Sequence, residues 1–156
     1  MRKNVKKQLA LRVLSTAALV AMVSSIATAA FADTYDLNKG SVDILAEGGE
    51  QRITQWEDKS KGTYVTDDKG EIKDRLDDDI TLTTKDETTG EIKTTHNAIT
   101  IDAEKGNTAK VTLDNVNIDV YGSSKAALTV TGDGNTEIEL NGDNTLISGR
   151  GHAGLE

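Results

Sequence analysis

The 156-residue chain carries 26 acidic and 18 basic residues, with no cysteine and no proline. That is room for one ordinary domain or part of a larger one, without a disulfide framework or a thiolate zinc site. All five cations before residue 33 (Arg2, Lys3, Lys6, Lys7, Arg12) lie in an acid-free leader, so residues 33–156 hold 13 cations against 26 acids, a net charge of −13. So acidic a surface argues against nucleic acid and anionic membrane as partners.

Residues 1–32 have the layout of a secretory signal peptide. A basic stretch to Arg12 precedes an apolar run from Val13 to Ala30, and Ala30-Phe31-Ala32 before Asp33 matches the small-x-small cleavage pattern. Ala27-Thr28-Ala29 offers a second cut. An uncleaved anchor is the rival reading, because the run is about long enough to span a bilayer, but its Ala, Ser and Thr make it weakly apolar. Cleavage between Ala32 and Asp33 would deliver an exported, extracellular or cell-surface protein.

Residues 33–97 read as an N-terminal cap with the first coils and hairpin excursions. Thr34 to Ile44 reads as a short strand after a turn at Lys39-Gly40, with Val42 and Ile44 alternating, 46–52 as a turn containing Gly48-Gly49, and Ile53 to Trp56 as a second strand. Two look-alike stretches follow, Asp67-Asp68-Lys69-Gly70-Glu71-Ile72-Lys73 and Asp86-Glu87-Thr88-Thr89-Gly90-Glu91-Ile92-Lys93. In each, an acidic turn ends in a glycine that supplies the positive φ of a hairpin. Between them Ile80-Thr81-Leu82-Thr83 alternates as a strand.

From residue 98 to 156 the pattern repeats. Ile99 and Ile101 match Leu128 and Val130 at 29 residues, Gly106-Asn107-Thr108 matches Gly134-Asn135-Thr136 at 28, and Val111 and Leu113 match Ile138 and Leu140 at 27. Three short strands per unit cannot bury an apolar face alone; they do so by stacking on the next unit. The pattern predicts an all-β fold, a right-handed parallel β-helix, with Ile101 over Val130 and Leu113 over Leu140. An antiparallel sandwich is the alternative, though nothing in it demands a turn sequence at fixed period. The repeat breaks off at Ala153-Gly154-Leu155, predicting an incomplete last coil with further coils of the same chain downstream.

Residues 35–44 (Tyr-Asp-Leu-Asn-Lys-Gly-Ser-Val-Asp-Ile), 111–118, 139–146 and the closing Gly151-His152-Ala153-Gly154-Leu155-Glu156 resemble the front of large surface proteins of Gram-positive gut bacteria. Those proteins are similar to a carbohydrate-binding β-helix family that shares the pectate-lyase fold. The resemblance covers residues 35–44 and 98–156 and little of 45–97, and its motifs are turn and stacking residues. It implies calcium and acidic-sugar binding for some members, with no ligand residue matched by motif.

Calcium is the one cofactor the composition suggests, since it takes six to eight oxygens. Asp77, Asp78, Asp79, Asp67, Asp68, Asp133 and Asp143 are the candidate donors; without an Asp-x-Asp-x-Asp-Gly loop, ordinary turn chemistry explains them as well. Trp56 and Tyr121 are candidate stacking platforms for sugars on an extracellular glycan or host surface. Trp56 serves equally as a cap over the first coil. Asn107 with Asn135, and Asn117 with Asn144, are candidates for a structural asparagine ladder between coils. No nucleophile motif surrounds His96 or His152. Arg150 alone is thin support for a polysaccharide lyase. The reading is a non-catalytic carbohydrate-binding or adhesion module, with a passive stalk and a lyase as alternatives.

Overall fold

The computed structural model describes residues 33–67 and 69–156. The expected leader, with Ala32, and the acid Asp68 lie outside the described residues. The described residues are all-β, twelve strands without a helix: β1 (Asp33–Asp36), β2 (Ser41–Glu47), β3 (Glu50–Asp58), β4 (Thr63–Tyr64), β5 (Asp74–Leu76), β6 (Ile80–Thr83), β7 (Ile99–Ala103), β8 (Thr108–Asp114), β9 (Asn117–Asp119), β10 (Leu128–Thr131), β11 (Asn135–Asn141) and β12 (Thr145–Ile147).

The strands assemble into three parallel ladders. The first runs β2-β7-β10, the second β1-β6-β8-β11, and the third joins β9 to β12. Between them the chain visits the ladders in a fixed order, first β8, then β9, then β10, and again β11, β12 and Leu155. Leu155 forms a parallel bridge to Leu128 and so starts another level of the first ladder. Parallel pairing aligns like residues, which is why the alternation in the sequence repeats as columns in space. Ile99 lies beside Leu128 and Ile101 beside Val130; Val111 lies beside Ile138 and Leu113 beside Leu140. Both registers are those the repeat predicts.

Inward residues of all three ladders form one core. Val42, Ile44, Ile99, Ile101 and Leu128 come from the first, Tyr35, Ile80, Leu82, Val111 and Leu113 from the second, and Ile118 from the third. Fully burying one such side chain is worth about 1.5–3 kcal/mol. Glycines allow the tight corners. At Gly132, where φ is +90°, a Cβ would stand 2.2 Å from the Ala103 carbonyl oxygen of the level before, and only glycine tolerates both demands.

The N-terminal region departs from this pattern. Gly48 and Gly49, with φ of +59° and +84°, form a two-residue hairpin turn that folds β3 back antiparallel on β2 from Glu47–Glu50 to Ser41–Trp56. The expected turn over 46–52 therefore shrinks to two residues. β4 and β5 then pair antiparallel with the far side of β3. The expected strand after the turn at Lys39-Gly40 is β2, which turns Val42 and Ile44 inward in the first ladder, and Thr34 before that turn belongs to a separate strand, β1, in the second ladder.

Both look-alike stretches form hairpins, closed by antiparallel bridges Thr66–Ile72 and Lys85–Ile92. Asp67 Oδ1 accepts from the backbone of Lys69 and Glu71, and Asp86 Oδ1 from that of Thr88 and Thr89. The second hairpin leaves and rejoins the ladders at almost one point, because Lys93 N donates to Thr84 O at 3.1 Å.

Candidate functional site

Trp56 sits near the end of β3. Inward residues of this strand are Gln51, Ile53 and Gln55, so alternation turns Trp56 to the outer surface of the sheet. There its ring stacks on Tyr64 of β4, with centroids 4.5 Å apart and planes at 25°. The register places Trp56 directly opposite Tyr64. Its indole Nε1 donates to Asp43 Oδ2 of β2 at 2.8 Å, and Lys59 Nζ reaches the same oxygen at 2.6 Å. One carboxylate thus fixes the indole rotamer, and a cation balances it. Both rings remain partly exposed, an arrangement that presents an oriented aromatic surface with a polar rim.

The turn between β3 and β4 holds Tyr64 in place. Asp58 Oδ1 accepts from Ser60 N and Ser60 Oγ, at 3.0 and 2.6 Å. Its Oδ2 lies 2.6 Å from Lys61 Nζ, and Gly62 completes the turn with φ of +67°. The Lys61 ammonium and then the Ser60 hydroxyl stabilise the charged Asp58, taking its pKa down to about 2.

Tyr121, the other expected platform, lies on the corner after β9, is exposed, and its backbone N–H donates to Asp119 Oδ1. The aromatic partner of Trp56 is Tyr64. The sequence did not mark Tyr64, because only the antiparallel return of β4 on β3 brings the two rings together.

The candidate calcium donors do not converge. Asp77 is buried and accepts from the Tyr35 hydroxyl at 2.8 Å and from Asp79 N at 3.0 Å. Arg75 Nε donates to the same hydroxyl at 3.1 Å, and Arg75 also pairs with Asp33. Burial, reinforced by the Asp77 carboxylate, pushes the Tyr35 pKa far above its ordinary value. Asp77 thus anchors β1. Asp78 and Asp79 are exposed, as are Asp133 on the β10–β11 corner and Asp143 on the β11–β12 corner. Among the described residues no three acidic or imidazole side chains gather around a common point.

The asparagine positions resolve differently from the expected pairs. Asn135 lies beside Thr108, not Asn107, and Asn117 beside Thr145, not Asn144. Each expected pair is off by one because the corner spacing is 27 or 28 residues and the matched sequences differ by one. Asn144 nevertheless links levels, since its Oδ1 accepts from Val116 N at 2.9 Å. Asn107 Oδ1 accepts from Gly49 N at 2.8 Å and ties the β2–β3 turn to the β7–β8 corner. Asn117 Nδ2 donates to Thr94 Oγ1 at 2.9 Å. Asn115, which the pattern did not mark, holds the same corner with φ of +54° while its Oδ1 accepts from Asp143 N at 3.2 Å.

His152 pairs with Glu156 four residues on, at 2.8 Å, while His96 and Arg150 are exposed. No family model, curated protein or solved structure matches the chain.

Proposed function

We propose that the three ladders are the faces of a right-handed parallel β-helix, and that this helix is an extracellular module binding glycan, without catalysis, through the Trp56–Tyr64 platform. The handedness follows the general rule for parallel crossovers. The observation that carries the binding reading is the indole held by Asp43 and backed by Tyr64, with both rings partly open to solvent. Sugars present an apolar C–H face that stacks on such rings, while their hydroxyls meet a polar rim.

The test is retention on an array of neutral and acidic glycans, run with and without calcium. Retention by at least one glycan is expected, with Trp56→Ala and Tyr64→Ala each abolishing it while the circular dichroism spectrum is unchanged. Absence of retention on every glycan in both conditions would overturn the reading. It would leave a structural spacer, for which the corner asparagines engaged between levels are the supporting observation.

A further inference from the structure

A cavity of about 350 Å³ opens between β1 and the two look-alike hairpins. The β1 side contributes Asp36 and, from the turn that follows, Lys39. The first hairpin contributes Asp67 and Lys73, and the second Glu87 and Thr88. Its charged groups do not satisfy one another. Among the described residues neither Lys39 nor Lys73 forms an ion pair, and neither do Asp36, Asp67 and Glu87. Asp36 and Asp67 each commit one oxygen to a turn of their own. Asp36 Oδ1 accepts from Asn38 N and Nδ2, and Asp67 Oδ1 from the backbone of Lys69 and Glu71. The Oδ2 of each is left over.

The second hairpin shows the closed version of the same arrangement. There Lys93 Nζ lies 2.5 Å from Asp86 Oδ2. Lys73 follows Asp67 after the same Glu-Ile, yet its ammonium stands 5.3 Å from the centroid of the Tyr35 ring. The ring face attracts the cation and holds it off the carboxylate. Asp67 is nonetheless held below the ordinary carboxylate range, first by the Glu71 backbone N–H and in smaller part by Lys73. The two charges therefore act on each other without an ion pair. One hairpin has its lysine and aspartate closed on each other; the other presents both to the cavity.

This mixture of signs narrows the occupant. Two ammonium groups disfavour a metal ion, and the carboxylates disfavour a simple anion. A ligand that carries both signs close together meets both sets. We infer that the cavity binds a small zwitterion of the α-amino-acid class, its carboxylate received by Lys39 and Lys73 and its ammonium by Asp36, Asp67 and Glu87. Charge-assisted hydrogen bonds at both ends supply the affinity, and the Thr88 hydroxyl favours a polar side chain on the ligand. None of the cavity residues belongs to the Trp56–Tyr64 platform, so this inference and the glycan reading stand or fall separately.

The probe is L-serine, set against ethanolamine, which lacks its carboxylate, glycerate, which has a hydroxyl in place of its ammonium, and glucose, a neutral polyol. Titrated into the whole chain, serine should give saturable backbone amide shifts at Asp36, Asp67, Lys73 and Glu87. Ethanolamine and glycerate should bind at least about tenfold more weakly, since each loses one set of charged hydrogen bonds. Lys39 and Glu87 are exposed, so Lys39→Gln and Glu87→Gln should keep the fold. Both should weaken serine, while Lys39→Gln spares ethanolamine and Glu87→Gln spares glycerate. Absence of serine-dependent shifts, shifts elsewhere, or serine binding unchanged in both variants overturns the proposal. So does binding of ethanolamine, glycerate or glucose as tight as that of serine.

Discussion

Tyr35, Leu82, Leu113 and Leu140 occupy one inward column on successive strands of the second ladder. The first three are at most 1% exposed and the last is 67% exposed. The residue type hardly changes along the column; what changes is whether something lies beyond it. Tyr35 of β1 is covered by its contacts with the buried Asp77 and with Arg75, and the antiparallel strands β3, β4 and β5 lie beyond β2, whereas β11 has nothing paired beyond it among the described residues. The value of an apolar side chain in such an architecture is therefore set by its neighbours along the ladder more than by its place in the repeat.

The sharpest way to break this comparison is to truncate the same column at two levels. Leu113→Ala should cost about 2–5 kcal/mol, because the cavity opens between paired levels. Leu140→Ala should cost about 0.5 kcal/mol or less, as for an exposed position. Urea unfolding of both variants measures the difference, and similar losses would mean that the edge is not open in solution.

Smaller effects probe the closed end. Gly40 has no special φ, yet a Cβ there would lie 2.1 Å from the Trp56 carbonyl oxygen and 2.9 Å from Val65 Cγ2. Gly40→Ala should therefore destabilise by about 1–3 kcal/mol through overpacking, read as a lower thermal midpoint. Gln51 mimics a strand, with its side-chain Oε1 accepting from Lys110 N at 2.6 Å and its Nε2 donating to Lys110 O and Asp77 O at 3.0 Å each. Gln51→Ala leaves those backbone groups unpaired and should cost about 1–3 kcal/mol. Faster exchange of the Lys110 amide would localise the loss.

The smallest effect is on the platform alone. The folded Asp58 has a pKa below its ordinary value, so what it contributes to the turn is complete above about pH 4 and is lost as pH falls through about 2. The chain has a single tryptophan, so its fluorescence reports Trp56 directly. It should change over that acid range, and Asp58→Asn should show the change already at neutral pH.

The ladders were largely legible in the sequence because parallel pairing repeats a local pattern. Ile101 beside Val130 and Leu113 beside Leu140 follow from counting alone. The asparagine columns were misplaced by one, because corners absorb single-residue changes that leave strand registers intact. The closed end was harder to read, since β3 directs glutamines inward at Gln51 and Gln55 and so hides its alternation behind polar residues. Tyr64 was invisible as the partner of Trp56 for a related reason. Their contact depends on a turn stabilised by Asp58 and on the antiparallel return of β4 on β3, both of which lie outside the repeat.

The corner at Thr84 has a consequence for how such a chain changes over time. Equivalent strands of the second ladder are 31 residues apart from Leu82 to Leu113 and 27 from Leu113 to Leu140, and Tyr35 to Leu82 spans 47. The spacing between neighbouring strands is set by hydrogen bonds and stays near 4.8 Å whatever the loop between them contains. Length in sequence and length in space are thereby uncoupled. Insertions at a corner enlarge the repertoire of surface hairpins without disturbing the rows beneath, so the twin hairpins can diverge in sequence, or be exchanged for others, while the ladders keep their register.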